Sequence, residues 1–333
     1  MKASSTYESL AGISSQELQD KSVLLVGAGW MATQYAFAFS KMGIKDVTIL
    51  SKNEHNVSKL CDEFGFRPLA GGYEKRLPTV ETKDLLVIAN PIHLLLPAAK
   101  AAIKSGQQNV LIEKPGSLYH KELVSLLRTL RKQRVRVGYN RLLYPNLHKL
   151  KQLVRAEGGI SSCRFTFTEW THTIDFDKER RDAYRRWGIS NSLHVIAMAF
   201  ELIGMPTKLF AQRHGDLKWH PTGSVFVGSG MSENHVPFSY HADWKSAGRW
   251  GIEVMTEENA YKLVPLEELH VCKRGTTDWQ RVPYERAFPE VKPGLAEQVV
   301  AMLDRKIEAV TGLVSLKKAA SLNKVAEKIF GYK

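Results

Sequence analysis

Cysteine is scarce: only Cys61, Cys163 and Cys272 occur in 333 residues, and no two of them form a C-x-x-C pair. That spacing excludes a disulfide framework and a structural zinc knuckle, and it fits a reducing compartment. No apolar run approaches the roughly 18 residues of a membrane span. There is no internal repeat, no low-complexity segment, no G-x-S-x-G elbow and no P-loop. His172 with Asp175, or His235 with His241, lack the spacing of a metal-ligand set, so no metal is expected. The opening stretch MKASSTYESLAGISSQELQDK is polar and has no apolar centre, unlike a secretory signal. Residues 1–21 are expected to be a short N-terminal extension, and the protein is expected in the cytoplasm.

Acidic residues are outnumbered, 34 against 47 Lys and Arg, for a formal net charge of +13. Basic clusters occur at 128–136 (RTLRKQRVR) and 178–187 (KERRDAYRRW). The first has few interleaved aromatics and ends a predicted helix, where cations complement the helix dipole. A solvated basic surface that attracts anionic small ligands accounts for this better than nucleic-acid binding. Hydrophobic residues at 44% and charged residues at 24% are the balance of a globular protein. The length suggests two domains.

From residue 22 to about 140, short β-rich runs alternate with helical stretches. Strands are expected at 22–28, 46–50, 85–90, 109–114 and 135–140. Between them, WMATQYAFAFSKMG and HLLLPAAKAAIKSG have helical length, and Gly43 and Gly106 follow as stops. Strands alternating with helices predict an α/β fold with a parallel, doubly wound sheet over 22–140. After about residue 150 the pattern changes. NLHKLKQLVRAEG and NSLHVIAMAFELIG (191–204) are helical, while CRFTFTEW, KLFAQRHG, SVFVGSG, FSYHADW and WGIEVMTEE alternate with period two. A mainly antiparallel sheet solvated on one face is expected there. LAEQVVAMLDRKIEAV and SLKKAASLNKVAEKIF return to helix. Residues 141–333 are thus expected to form a second α/β domain, with C-terminal helices able to pack back on the first.

VLLVGAGWMATQYAF places Gly27, Gly29 and Ala32 at G-x-G-x-x-A spacing, with Trp30 and Met31 between. The first glycine permits a tight turn, the second lets the backbone approach a pyrophosphate, and the small third residue lets helix and strand pack closely. The motif follows an apolar strand and opens a helix, which is the context it needs. At the end of the second strand an NAD-selective site usually presents Asp or Glu to the ribose 2′-hydroxyl. This chain has Ser51, Lys52 and Asn53 there, and no acid before Glu54. A hydroxyl and a cation suit a 2′-phosphate, so NADP is favoured, with NAD as the alternative. A solvent-exposed loop lysine would read the same way.

Further on, a strand ends in Asn90-Pro91 with His93 beyond it, and a later strand ends in Glu113-Lys114-Pro115. In register with the nucleotide motif, this segment resembles the Gfo/Idh/MocA oxidoreductases, relatives of glucose–fructose oxidoreductase and inositol dehydrogenase. VGYNRLLYPNLHKLKQL (137–153) is similar to that family's passage into its second domain. The likeness is strongest over residues 22–155 and traceable to the end.

The resemblance implies a Rossmann domain followed by an α/β domain with a large open, mainly antiparallel sheet. It also implies a sugar-like substrate held between nicotinamide and sheet, and pairing of copies through the open sheet. Asn90, Pro91, His93 and Glu113 would then border the cofactor. Lys114 would reach the reacting oxygen and assist proton movement, with a cis bond to Pro115. The family commonly carries D-x-x-x-H at a helix start in its second domain. Here His194 matches, but Ser190 stands at the Asp position, which withholds the carboxylate that would raise the histidine's basicity. Arg185, Arg186 and Trp187 precede this helix, with Asn191 on its first turn; Tyr139, Asn140 and Arg141 follow the last Rossmann strand. By position these border the substrate. A guanidinium there would suit an anionic or nucleotide-linked sugar, though a solvated basic loop reads equally well.

The expected activity is hydride transfer between NADP(H) and a hydroxyl/ketone pair on a sugar or sugar derivative, with Lys114 and His194 as catalytic residues. Two alternatives stay open: redox-neutral, NAD-using glycosidase-like chemistry, and a non-catalytic dinucleotide-binding sensor or partner subunit, to which the serine at 190 lends weight.

Overall fold

The computed structural model describes residues 18–333. The extension expected at 1–21 therefore lies, but for its last four residues, outside the described residues. The chain first builds β1 (Ser22–Val26), α1 (Trp30–Lys41), β2 (Asp46–Ser51), α2 (Glu54–Phe64), β3 (Arg67–Ala70) and β4 (Leu85–Ile88). It continues through α3 (Ile92–Lys104), β5 (Asn109–Glu113), α4 (His120–Thr129) and β6 (Arg134–Gly138). These strands are parallel in the order β6-β5-β4-β1-β2-β3, with the short strand Val314–Ser315 antiparallel beside β6. β1 and β4 are apolar almost throughout because both faces of this sheet are buried. α1 lays Ala32, Tyr35, Ala36 and Phe39 into the core and stops at Gly43, whose φ of +75° suits glycine. β3 is not visible in the sequence: Arg67-Pro68-Leu69-Ala70 is a four-residue edge strand with a proline and little apolar alternation.

The second unit contains α5 (Pro145–Ala156), β7 (Ser162–Phe167), α6 (Leu193–Ile203), β8 (Pro206–His214), β9 (Val225–Ser232) and β10 (Pro237–Asp243). β11 (Trp250–Met255), β12 (Asn259–Leu263), β13 (His270–Lys273) and β14 (Gln280–Arg281) follow. Its eight strands run β14-β13-β12-β11-β7-β10-β9-β8, antiparallel except for the β7–β10 pair. Along β7, Cys163, Phe165 and Phe167 are buried while Arg164 is exposed, so the period-two pattern aims one face at α6. Phe165 meets Phe200 of α6 edge-on at 5.7 Å.

The chain then forms α7 (Leu295–Leu303), α8 (Arg305–Thr311) and α9 (Leu316–Phe330). The single helix expected from LAEQVVAMLDRKIEAV is broken at Asp304, which is extended (φ −122°, ψ 117°) and caps α8 by accepting from the Lys306 amide at 2.7 Å.

Two compact units result. One holds the described residues through Leu143 together with Arg286–Ser321, and the other holds Tyr144–Glu285 with Leu322–Lys333. Residues 286–321 therefore group with the nucleotide-type sheet rather than with residues 144–285. Their packing explains this. Leu295, Val299, Val300 and Met302 share one core with Leu25, Tyr35 and Phe39. Arg134 donates to the Ala301 carbonyl at 2.6 Å, and Arg134 and Arg136 pair with Glu308 at 2.7 and 2.5 Å. Part of the basic cluster at 128–136 is thus structural. No helix among the described residues is long and apolar enough to cross a membrane.

Candidate functional site

In the first unit, the turn after β1 lines a cavity of about 730 Å³ together with the ends of β2, β3 and β4. Gly27 has φ +125°, and a Cβ there would come within 2.6 Å of the Ala89 carbonyl oxygen, so only glycine fits. A Cβ on Gly29 would meet nothing within 4 Å. That space opens at the N-terminus of α1, which has no side-chain cap and no acid in its first turn. Backbone N–H groups there are available to an anion. Asn90 lines the same cavity, and its Oδ1 is buried with no hydrogen-bond partner among the described residues. These features fit a dinucleotide diphosphate. Ser51 and Lys52 also line the cavity, joined by the Gly71–Lys75 segment, which the sequence did not flag. Asn53 is differently employed: its side chain caps α2 by accepting from the Asn56 amide at 3.0 Å. Trp30 is 64% exposed, with Lys292 Nζ 4.2 Å over its ring. Met31, Pro91 and His93 are partly or fully exposed near the same helix starts.

Glu113 ends β5, and the Lys114–Pro115 bond after it is cis. Tyr35 donates to Glu113 Oε1 at 2.5 Å, and Gln298 Nε2 donates to the Tyr35 hydroxyl. Burial pushes the Glu113 carboxyl up to about 7, against the pull of the Tyr35 bond and the positive charges of Lys114 and Lys292. Tyr35 itself is raised well above the ordinary phenol value, first by burial and then by the Glu113 charge. Tyr139 is buried, with its hydroxyl unpartnered among the described residues. Asn140 is buried and donates to the Pro293 carbonyl at 2.9 Å, so it ties β6 to the returning chain. Arg141 follows on the same turn, half-buried.

In the second unit, a π-helical turn, Gly188–Ser192, leads into α6. Gly188 is required there, since a Cβ would lie 2.2 Å from the Phe330 ring. Ser190 Oγ donates to the Ala183 carbonyl at 2.7 Å. Arg186 is buried in an ion pair with Glu327 at 2.6 Å and donates to the Lys333 carbonyl at 2.9 Å, so this guanidinium is engaged by the C-terminal segment. Arg185 is exposed. Trp187 stacks on Tyr184 at 5.8 Å, and its indole N–H is buried without a partner among the described residues.

A residue that sequence reasoning missed organises this region. Glu169, just past β7, is buried and accepts from Ser192 Oγ at 2.5 Å, Asn191 Nδ2 at 2.9 Å, Trp250 Nε1 at 3.3 Å and Arg249 at 3.4 Å. Burial raises its carboxyl above the usual range, against the lowering effect of those four donors. His194 packs against the Trp250 ring at 6.1 Å between centroids. The signal was available: Glu169 shares the parity of the buried Cys163, Phe165 and Phe167, so continuing the strand alternation puts its carboxylate on the inner face.

The sequence description of an oxidoreductase family with an NAD-binding Rossmann fold, Gfo/Idh/MocA, matches residues 21–141. The match covers 121 of the 333 residues. Structural likeness extends beyond this stretch. A UDP-N-acetylglucosamine 3-dehydrogenase from Acidithiobacillus ferrooxidans superposes with a TM-score of 0.69 over 93% of this chain and 96% of its own, at 14% identity. A levoglucosan dehydrogenase solved with NADH and L-sorbose gives 0.72 over 93% and 95%, at 18% identity. These likenesses show the two-sheet fold. A shikimate dehydrogenase (NADP(+)) from Methanothermobacter thermautotrophicus is 33% identical over 79 residues, which are 22% of this chain and 28% of that enzyme's length.

Proposed function

We propose that the chain is a pyridine-nucleotide-dependent oxidoreductase acting on a hydroxyl/ketone pair of a sugar or sugar derivative. The observation that carries this reading is the open space at Gly29 facing an uncapped, acid-free helix start, next to the orphaned Asn90 Oδ1. In the proposed complex the Gly27–Ala32 turn holds the diphosphate. Hydride chemistry would be supplied by the nicotinamide of a dinucleotide held there. Lys114 holds or releases the hydroxyl proton at its Nζ and polarises the carbonyl oxygen. His194 is the second proton-handling group, held against Trp250. Glu113, below Lys114 in the chain, gives that ammonium a carboxyl partner whose charge changes near neutral pH.

We infer NADP(H) in preference to NAD(H). Ser51 and Lys52 line the cavity at the end of β2, where a hydroxyl and a cation suit a 2′-phosphate, and Glu74 is the one carboxylate among the residues lining it. The NADP(+) of the shikimate dehydrogenase favours the same choice, while the NADH in the levoglucosan dehydrogenase favours the other. The anionic-substrate expectation loses Arg186, whose guanidinium is already paired. Calorimetric titration of the full chain with NADPH and NADH side by side tests the reading, followed by absorbance of the reduced nicotinamide with a panel of sugars. Affinity for NADPH and a sugar-dependent absorbance change are expected. No affinity for either nucleotide would remove the proposal, and a clear NADH preference would reverse the cofactor assignment alone.

A further inference from the structure

Resting on the sugar-oxidoreductase reading, we propose that the cavity of about 300 Å³ in the second unit binds a single uncharged, hydroxyl-rich ring, and that Glu169 is the residue that organises it. Its walls include Trp170, Trp187, Tyr184, Asn191, Arg249 and Glu169. The volume lies at the low end of the roughly 300–1,000 Å³ found for small-molecule sites, which suits one ring rather than two.

Of the aromatic rings, Trp170 is open to a ligand and Trp187 partly so, while Tyr184 is buried behind it. Trp170 is 49% exposed. Trp187 and Tyr184 form a stacked pair, 17° from coplanar. An indole offers an apolar face to the C–H surface of a saturated ring and a polar N–H to its hydroxyls. The Trp187 N–H lacks a partner among the described residues, and a buried orphan donor is costly until an acceptor arrives.

Polar recognition would come from groups that Glu169 fixes. A carboxylate offers about four lone-pair directions, and four donors already converge on this one, so Glu169 is saturated and acts through others. Because the carboxylate accepts, the Asn191 amide must turn its nitrogen inward, and its carbonyl oxygen is left to accept from a hydroxyl. The Arg249 guanidinium lies 4.6 Å over Trp170 and 4.5 Å over Trp250, with more N–H donors than Glu169 uses.

Charge decides the ligand class. The lining carries three carboxylates, on Glu169, Asp175 and Glu179, and two cations, on Lys178 and Arg249. Both cations have an acidic partner, Arg249 with Glu169 at 3.4 Å and Lys178 with Asp175 at 3.6 Å. A carboxylate or phosphate on the ring would have to break one of these pairs beside a net negative wall. Rejection of anions is built in.

The test uses the full chain without nucleotide. D-glucose, D-galactose and myo-inositol are titrated against D-glucuronate and D-galacturonate, with tryptophan fluorescence and ligand-observed NMR as readouts. At least one neutral ring should bind saturably, with its uronate about tenfold or more weaker. Trp170→Ala should weaken the neutral ring about tenfold while leaving the thermal midpoint in place. Glu169→Gln should weaken it similarly and also narrow the neutral-over-uronate preference, a change that loss of structure alone would not produce. If Glu169→Gln does not fold, the exposed Trp170 variant and the matched sugar pairs still decide. Absence of saturable binding by every neutral ring, equal or tighter binding of a uronate, or wild-type affinity in Trp170→Ala would overturn the site. Because no nucleotide enters the assay, a failed oxidoreductase reading would show separately, as missing NADPH and NADH affinity.

Discussion

The Tyr35 hydroxyl lies 2.5 Å from Glu113 Oε1 and donates to it, one residue before Lys114. The pair joins α1 to β5, which ends just before the lysine, and Gln298 of the returning chain closes the network. Its cost falls on Glu113, whose carboxyl burial raises from 4.5 to about 7.

That shift has a definite stability signature. A carboxyl with a raised folded pKa binds its proton more tightly when folded, so its contribution is fullest at acid pH and declines as pH climbs from 4.5 to about 7. Glu113→Gln should remove this decline. Unfolding free energies of wild type and variant from urea titrations, followed across that window, should diverge by about 3 kcal/mol in favour of the variant at the upper end. Parallel curves would mean that Glu113 titrates normally.

The two glycines of the nucleotide turn should respond oppositely to a side chain. Gly27→Ala forces a Cβ into the Ala89 carbonyl at an unfavourable φ and should destabilise the protein by about 1–3 kcal/mol. Gly29→Val points into empty space, so the thermal midpoint should hold while NADPH affinity drops about tenfold or more. Retained nucleotide affinity in Gly29→Val would show that the diphosphate does not lie there.

Lys114→Ala should lower turnover by about 10²–10⁴-fold, the usual worth of a general acid–base group, with nucleotide affinity kept within severalfold. Steady-state rates together with a nucleotide titration make the distinction. A variant with unimpaired kcat would remove Lys114 from the chemistry and favour the sensor alternative.

Arg186 and Glu327 provide a contrast in the second unit. Both are largely buried and 2.6 Å apart. Arg186→Ala breaks this largely buried ion pair and should cost about 3–5 kcal/mol of stability. Chemical denaturation measures this directly, and a near-neutral effect would return Arg186 to the list of ligand contacts.

What could be read from the chain beforehand follows a physical line. The G-x-G-x-x-A turn, the apolar strands and the E-K-P tripeptide are local, so β1, α1, β4, β5 and the Lys114 position are legible in consecutive residues. The second sheet also announced itself through period-two alternation. Partners set by distant contacts could not be read in this way. Gln298 reaches Tyr35 across 263 residues, and Arg249 meets Glu169 across 80. Arg186 looked like a free cation until Glu327, 141 residues away, claimed it. Asn53 looked like a cofactor contact, though Asn followed by an acid at a helix start is equally the mark of a cap. Glu169 was the one avoidable miss, since its parity along β7 was already in view.

The return of residues 286–321 to the first sheet bears on how this protein can be dissected. A gene fragment stopped at residue 143 would encode every motif associated with the nucleotide yet expose the bare surface that Leu295, Val299 and Val300 normally cover, and would strip Arg134 and Arg136 of Glu308. Such a piece is expected to aggregate. A graft that fuses 286–321 behind it through a short linker should stay in solution, so the nucleotide half travels between genes only as two separated exons' worth of chain.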